Sequence, residues 1–424
     1  MNRKCFLFRR CMVVCFVLLA GFAANAQDTL RISLQSAEQQ FLQNNLSLLA
    51  AKYDISIAQA QIIQARLYNN PNLSVNGNLY NPDRRKFFDI SNKTGQYDIQ
   101  IQQLITLAGK RNKQISLAST NARIAEYNFY DMLRTLRFSL RSNFFSMLHL
   151  QQSKDAYQVQ INSLQQLASA YNDLQAKGVV TLKDAVRIKS LLYTLQAEQT
   201  SLQNQLNDLE AELQLLLGDN KHYFIPEDGV TGPDMPTQYP LQSLVDSAYN
   251  NRYDLKAADA NMVYSEQNYQ LQRALRTPDL TLGAEFDKRG SFVNNASFLT
   301  AAIDLPFFNR NQGNIKAAKT QIDQSKVLYQ HQQLTVENDV QKAYIKAMNT
   351  GKMLQSFDPS FKLQFDKLLQ GITENFQKKN ISLLEFTDFY ESWRDNVLQW
   401  NQLRNEKDQA MEALNFAIGK TLFN

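Results

Sequence analysis

Residues 71–79 read Pro71-Asn72-Leu73-Ser74-Val75-Asn76-Gly77-Asn78-Leu79. After the proline, polar and apolar residues alternate almost strictly. An extended chain with this pattern carries Leu73, Val75 and Leu79 on one face and asparagine and serine on the other. Asp98-Ile99-Gln100-Ile101-Gln102 repeats the alternation, and Asp279–Phe286 and Leu299–Leu305 follow it more loosely. The predicted apolar face is therefore Leu73, Val75, Leu79, Ile99, Ile101, Leu280, Leu282 and Phe286. Asn, Ser, Gln, Thr and Glu line the opposite face.

The surrounding sequence shows that these strands belong to two copies of one plan. Residues 34–75 align without gaps on residues 241–282: Leu34-Gln35-Ser36 on Leu241-Gln242-Ser243, Asn44 on Asn251, Arg66 on Arg273 and Pro71 on Pro278. At an offset of 201, Lys177 matches Lys378, Leu182 matches Leu383, Leu202 matches Leu403, and Gly218 matches Gly419. Each half reads helix, strand, strand, long helix, helix. The first helices, Leu34–Asn69 and Leu241–Thr277, stop at Pro71 and Pro278, because the residue before proline is pushed out of the α region. The predicted divisions are 1–26, a first repeat 27–218, a linker 219–240 holding four of the nine prolines, and a second repeat 241–424.

Beyond the strands lie two very long helical segments, Gly109–Ala176 and about Arg310–Gln377. Only Asp358-Pro359 forms a strong turn cluster within them. At 1.5 Å per residue, each extends roughly 100 Å. Apolar residues recur by three and four, as coiled-coil packing requires. Ala118, Ala122, Ala125, Phe129, Met132 and Leu136 form one stripe. Leu202, Leu206, Leu209, Leu213 and Leu216 form another, and Leu383, Phe386, Tyr390, Trp393, Val397 and Trp400 a third. All three are expected to be helix-packing surfaces.

The 424-residue chain carries 45 Lys+Arg, 40 Asp+Glu, three Cys and three His. Arg3, Lys4, Arg9 and Arg10, the apolar run Cys11–Ala20 and the small-x-small triplet Ala24-Asn25-Ala26 have the layout of a secretory signal peptide. Its removal takes four of the five net positive charges and Cys5, Cys11 and Cys15. The mature chain is then almost neutral and has no thiol. That excludes disulfides, thiolate metal sites and a cysteine nucleophile, and leaves no basic stripe for nucleic acid. No lipobox precedes any cysteine, so no lipid anchor is expected. His149, His222 and His331 lack metal-ligand spacing, so neither a metal site nor a cofactor is expected. No nucleophile elbow, phosphate loop or paired catalytic motif occurs, so no enzyme is predicted.

Four strands cannot close on themselves, because small barrels need about eight. An open sheet exposes pairing edges. The polar face suits the lumen of a transmembrane barrel and the apolar face suits lipid. Tyr68, Tyr80, Phe87, Phe88, Tyr97, Phe292, Phe307 and Phe308 flank the strands as interfacial aromatics do. Two chains would pool about eight strands and three about twelve, the latter with room for water. A soluble β-layer capping a helical bundle is the alternative on pattern alone.

Two local motifs point to a family. They are Leu305-Pro306-Phe307-Phe308-Asn309-Arg310-Asn311-Gln312-Gly313-Asn314-Ile315, leaving the fourth strand, and Leu107-Ala108-Gly109-Lys110-Arg111, leaving the second. With the tandem halves, they make the chain resemble the TolC-like outer-membrane efflux proteins over essentially its whole mature length. The motifs resemble those of the cobalt–zinc–cadmium and copper–silver branch. The resemblance implies a mainly α fold with a small β part. It implies a homotrimer whose twelve strands form a β-barrel in the outer membrane of a Gram-negative bacterium. Long helices would form a periplasmic tunnel, docked on a periplasmic adaptor (membrane fusion protein) and an inner-membrane pump of the RND type. The implied function is passive export, here of heavy-metal cations. Within the same fold the alternatives are a multidrug or type I protein-secretion duct. Outside it, the alternative is a periplasmic coiled-coil scaffold without a pore.

The helix-to-helix turns carry the candidate contacts. Gly178 and Asn380 tolerate left-handed backbone suited to ending a helix. Thr181 and Ser382 can cap the next helix, with Asp184 and Glu385 as capping-box partners. Ordinary hairpin chemistry accounts for these residues. The resemblance adds a location at the periplasmic mouth. There Gly178, Val179, Val180, Thr181 and Leu182, with Asn380, Ile381, Ser382 and Leu383, would meet the adaptor. Glu374, Lys378, Lys379, Glu385 and Asp388 would be gate candidates. Gly178 aligns with Lys379 rather than with a second glycine, so the two tips are not equivalent. Lys110, Arg111, Pro306 and Arg310 mark the membrane-interface junctions, where the cations are expected to meet lipid phosphates.

Overall fold

A computed structural model describes residues 28–227, 239–290, 293–358 and 360–423. The predicted signal peptide, most of the predicted linker, Phe292 and Pro359 lie outside the described residues. In chain order the elements are β1 (Asp28–Ile32), α1 (Leu34–Asn44), α2 (Leu46–Arg66), β2 (Asn72–Gly77), β3 (Tyr80–Asn81), β4 (Lys86–Phe87) and β5 (Tyr97–Ile105). Then come α3 (Lys110–Ala176), α4 (Leu182–Leu217), β6 (His222–Pro226), α5 (Leu241–Asn251) and α6 (Tyr253–Leu275). The chain ends with β7 (Leu280–Asp287), β8 (Ala296–Ile303), α7 (Gln312–Ser356), α8 (Phe361–Gln377) and α9 (Leu383–Ile418).

The two halves fold alike, with corrections to the predicted plan. Each predicted first helix is two helices. Asn45 (φ −65°, ψ 117°) and Arg252 (φ −72°, ψ 121°) adopt extended backbone between them. Neither is glycine or proline, so local preference does not make the break. Asn45 Nδ2 donates to the Leu216 carbonyl at 2.9 Å. Arg252 Nη1 donates to the Ala417 carbonyl at 3.4 Å. Leu216 and Ala417 are equivalent at the offset of 201, so each half pins its break to the last turn of its own return helix. Ser33 caps α1 by accepting from Ser36 N–H.

The same joints explain the punctuating glycines. Gly218 (φ 65°) and Gly419 (φ 78°) have left-handed backbone. A Cβ on Gly218 would lie 2.5 Å from the Asn44 carbonyl oxygen, and one on Gly419 would lie 3.0 Å from Arg252 Cγ. The first obstacle is a backbone oxygen well inside contact distance; at Gly419 the Arg252 Cγ, N and Cα lie at 3.0, 3.1 and 3.2 Å, a milder approach. Gly218→Ala should therefore cost roughly 2–4 kcal/mol and Gly419→Ala about 1–2 kcal/mol. Urea midpoints of the two variants check the order.

Two further differences remain, the first with a local cause. The second long segment is interrupted, with α7 ending at Ser356 and α8 starting at Phe361. Asp358 there accepts from Ser360 N–H at 2.8 Å, a side-chain turn that competes with the helix ladder. The stretch expected as linker contains β6, which pairs in parallel with β1 from Asp28↔His222 to Ile32↔Pro226. Phe224 N–H also donates to Glu210 Oε1 at 2.7 Å. Burial raises the Glu210 pKa from its ordinary value.

The described residues form two compact units, one from 28–45, 139–227 and 354–409, the other from 46–138, 239–353 and 410–423. The first has a core of Tyr157, Ile161 and Leu164 from α3, Ile188 and Leu195 from α4, Leu369 and Phe376 from α8, and Phe386, Tyr390 and Trp393 from α9. Phe376 stacks on Phe386 at 4.4 Å and on Tyr171 at 5.5 Å. The α9 stripe is thus packing surface, as its spacing predicts. The second unit buries Leu244, Val336, Val340, Met411 and Leu414 together. The Ala118–Leu136 stripe departs from its prediction. Ala122 of that set is buried, Ala118, Ala125, Phe129 and Leu136 are half-buried, and Met132 is exposed.

Candidate functional site

Four strands form one antiparallel sheet in the order β2-β5-β7-β8. Its register fixes which side chains share a face, since directly paired residues point the same way. Leu73 pairs with Ile101 and Val75 with Ile99. Ile99 pairs with Phe286, Ile101 with Ala284 and Ile105 with Leu280. Ala284 then pairs with Leu299, Leu282 with Ala301 and Leu280 with Ile303. One face is therefore almost wholly apolar across all four strands, as the alternation predicts. It is also exposed: Leu73, Val75, Ile101 and Ile303 are uncovered, and Leu299 is 92% exposed.

The other face is polar. Ser74 pairs with Gln100, and Gln100 with Glu285. Gln100 Nε2 lies 3.5 Å from Glu285 Oε2, and Asn76 Nδ2 donates to Asp98 at 3.0 Å. Gly283 is required on this face, because a Cβ would sit 2.5 Å from Thr300 Oγ1. β2 and β8 each leave one edge unpaired within the sheet. Aromatic residues mark both strand ends. Phe87, Phe88 and Tyr97 sit near one end, and Tyr68, Phe307 and Phe308 near the end where the helices begin, with Phe308 95% exposed.

At that helical end, Lys110 is not a free cation. It is buried, and its Nζ meets Asp279 Oδ1 at 2.7 Å, while Leu107 N–H donates to the same oxygen at 2.9 Å. That pair replaces the lipid phosphate expected for this residue. The Arg111 guanidinium lies 3.9 Å from the centroid of the Tyr68 ring, a cation–π contact. Arg310 is exposed and Pro306 is half-buried.

The helix turns follow the predicted capping with one exchange. Thr181 Oγ1 accepts from Asp184 N–H at 3.2 Å. Glu385 N–H donates to Ser382 Oγ at 3.2 Å, while Ser382 N–H donates to Glu385 Oε2 at 2.8 Å, a complete capping box. The Ser382 N–H and hydroxyl hold the Glu385 carboxyl below its ordinary range. The left-handed residue of the second turn is Lys379 (φ 60°), not Asn380 as expected. Asn380 N–H closes on the Asn375 carbonyl at 2.9 Å, as Val179 N–H closes on Leu174 at 2.9 Å. This closure demands left-handed backbone one residue earlier, at 178 and at 379. Lys379→Gly should stabilise the protein by about 1 kcal/mol, and Gly178→Ala should cost about as much. Thermal melts of the pair test the assignment.

Val179 and Leu182 are exposed at the first turn, whereas Ile381 and Leu383 are half-buried against the core and Leu384 is exposed instead. Leu384, the residue after the predicted contact Leu383, is not singled out by the sequence. Glu374, Lys378, Lys379, Glu385 and Asp388 are all exposed. Among the described residues, no group of three or more His, Cys, Asp or Glu could hold a metal ion. No described helix is long and apolar enough to cross a membrane, a fact that does not bear on the sheet.

A four-stranded sheet with one apolar and one polar face, fed by tandem coiled-coil helices, is the fold of TolC-like efflux channels. Residues 37–219 and 244–420 match the outer membrane efflux protein family, and the chain belongs to that family. The cobalt-zinc-cadmium resistance protein CzcC of Cupriavidus metallidurans is 25% identical over 70% of this chain and 68% of its own length. The pyoverdine export outer membrane protein OpmQ of Pseudomonas putida is 25% identical over 67% of this chain and 62% of its own. The crystal structure of the Campylobacter jejuni CmeC outer membrane channel superposes with a TM-score of 0.76 at 14% identity, covering 92% of this chain and 86% of that one. The resemblance drawn from the motifs therefore holds. The family and fold are those of outer-membrane efflux channels, not of enzymes.

Proposed function

We propose that three copies of this chain pool their sheets into one twelve-stranded barrel, the exit duct of a tripartite efflux system. The observation that carries this reading is the single sheet with two free edges, an exposed apolar face and a polar face. In water that face is costly and those edges aggregate; in a closed barrel the edges pair and the apolar face meets lipid. The partly covered Ala118–Leu136 stripe of α3, with Met132 exposed, is a packing surface for a neighbouring copy. The two helix turns are the docking tips for a periplasmic adaptor, and the adaptor links the duct to an inner-membrane pump of the RND type. The exposed charges Glu374, Lys378, Lys379, Glu385 and Asp388 serve the gate.

The cargo is heavy-metal cations. The likeness to CzcC and the two junction motifs support this choice, and export of a siderophore or drug is the rival that OpmQ represents. Metal passes as cargo, with selectivity set by pump and adaptor. Purified protein should insert in a planar bilayer and conduct as an oligomer; a soluble, non-conducting monomer would sink the duct reading. Deletion of the gene should lower tolerance to zinc, cobalt, cadmium or copper. Unchanged metal tolerance with new drug or siderophore defects would replace the cargo and leave the duct intact.

A further inference from the structure

We infer that the outer face of α2 docks on α7 of a second copy of this chain, repeating between copies the contact that α3 makes with α6 inside one copy. The inference rests on the barrel reading above and names the helices through which its copies join. The internal repeat reveals a missing neighbour. In the gap-free alignment of residues 34–75 on 241–282, Leu48 and Ala58 of α2 correspond to Leu255 and Ser265 of α6, and all four are buried. Ala50, Tyr53 and Gln64 of α2, with Leu67 just beyond it, correspond to Ala257, Ala260, Leu271 and Ala274. The α6 members of this second set are buried, and their counterparts in the first half are exposed. Equivalent helices thus differ on one side only.

Within one copy, α3 meets α6. The Tyr253 ring stacks on Tyr130 at 4.6 Å and lies 6.0 Å from Tyr127, and Arg134 Nη2 reaches Asp254 at 3.3 Å. At the offset of 201, Tyr127 and Tyr130 correspond to Leu328 and His331 of α7, both exposed. Tyr253 corresponds to Leu46, which is 71% exposed. The two open faces are therefore the counterparts of the two that meet inside the chain. The sheet puts them at opposite edges. α2 leads into β2 and α7 follows β8, the two strands with a free edge. β8 runs opposite to β2, so those edges can pair between copies. That pairing brings α2, running toward the sheet, beside α7, running away from it, as α6 and α3 run. Each copy offers α2 to one neighbour and α7 to the other, a heterologous contact that closes into a ring. Charge keeps the two contacts distinct. The ion pair Arg134–Asp254 of the internal contact corresponds to Thr335 and Ser47, both neutral. An α2 helix seated on α3 would leave Arg134 without the Asp254 carboxylate, whereas α7 presents it with exposed Val327, Leu328 and Leu334.

The test joins the two helices covalently. All three native cysteines precede residue 27, so the signal-cleaved chain is a thiol-free background. Leu46→Cys/Leu328→Cys protein, purified in detergent and treated with a short bis-maleimide, should give a ladder of two and three linked chains on denaturing gels. Either single variant should stay unlinked, and the two singles co-expressed should reach the two-chain band and no higher. Ile63→Cys/Leu328→Cys, out of register along the same helices, should give no ladder. A second measurement needs no cross-link. Leu46 is the first residue of α2, where a carboxylate suits the helix N-terminus, so Leu46→Glu should leave the chain folded. It should weaken assembly about tenfold or more by sedimentation in detergent, and adding Leu328→Lys should restore it. A conducting oligomer without the ladder, single variants that link to themselves, or no rescue by Leu328→Lys would overturn this contact and leave the duct. A ladder from protein that does not conduct would keep the contact and overturn the duct. A chain that stays monomeric at every concentration would overturn both.

Discussion

Leu299→Arg is expected to abolish stable membrane insertion. Leu299 is near the middle of β8, pairs with Ala284 and is 92% exposed. In water, an arginine at so exposed a position would be nearly neutral for stability. At the lipid-facing midplane of the proposed barrel it would cost about 2–4 kcal/mol per chain, and every copy would incur that cost. Gln100→Arg is the matched control, because it places the same cation on the polar face beside Glu285. That variant should insert normally and alter conductance alone. Outer-membrane fractionation, with urea unfolding from vesicles, reads both. Equal insertion of the two arginine variants would refute the assignment of the apolar face to lipid.

The contrast is legible in the sequence because period-two alternation depends on neighbours one and two residues apart. Leu73, Val75, Ile99 and Ile101 declare their face without knowledge of any partner strand, and the register only joins them into one surface. The α9 stripe is legible for the same reason at helical spacing. What stayed hidden is set by partners far along the chain. Lys110 looked like a free junction cation because its partner, Asp279, is 169 residues away. Asn45 breaks a helix through a bond to Leu216, 171 residues away. β6 falls among prolines and glycines and is paired as a strand with β1, from the other end of the first repeat. The turn at Lys379 failed differently. Side-chain preference pointed to Asn380, but the hydrogen-bond closure of the helix end decides which residue must be left-handed, and lysine accepts the strain.

Arg252→Met should be the most damaging change to the second unit, with a loss of about 3–5 kcal/mol. The Arg252 side chain is 3% exposed. Its Nε and Nη2 hold Asp254 at 3.1 and 2.5 Å, and its Nη1 reaches Asp339 at 2.9 Å as well as the Ala417 carbonyl. It therefore joins the α5–α6 break to α7 and to the last turn of α9, where a cation also complements the helix dipole. Asp254 further accepts from Arg134 at 3.3 Å and Gln332 at 2.9 Å. Burial acts to raise the Asp254 pKa, but the hydrogen bonds and charge of Arg252, with the charge of Arg134, outweigh it and hold the carboxyl below its ordinary value of 3.8. The sign of the pH dependence follows. A depressed folded-state pKa contributes stability that is complete above 3.8 and is lost as pH falls through the lower folded value. Methionine removes the main partner, so burial then pushes the carboxyl upward and the variant lacks that contribution at neutral pH. The deficit relative to wild type should be largest near pH 7 and shrink below about pH 4. Adding Asp254→Asn to Arg252→Met should recover part of the loss, because the buried carboxylate left behind is the greater share of the penalty. Asn45→Ala, at the equivalent joint of the first half, removes one neutral hydrogen bond and should cost only about 1–2 kcal/mol at any pH. Urea unfolding of wild type and the three variants at pH 7 and pH 3 tests the scheme. A pH-independent deficit for Arg252→Met would show that the joint is held by packing and not by its charges.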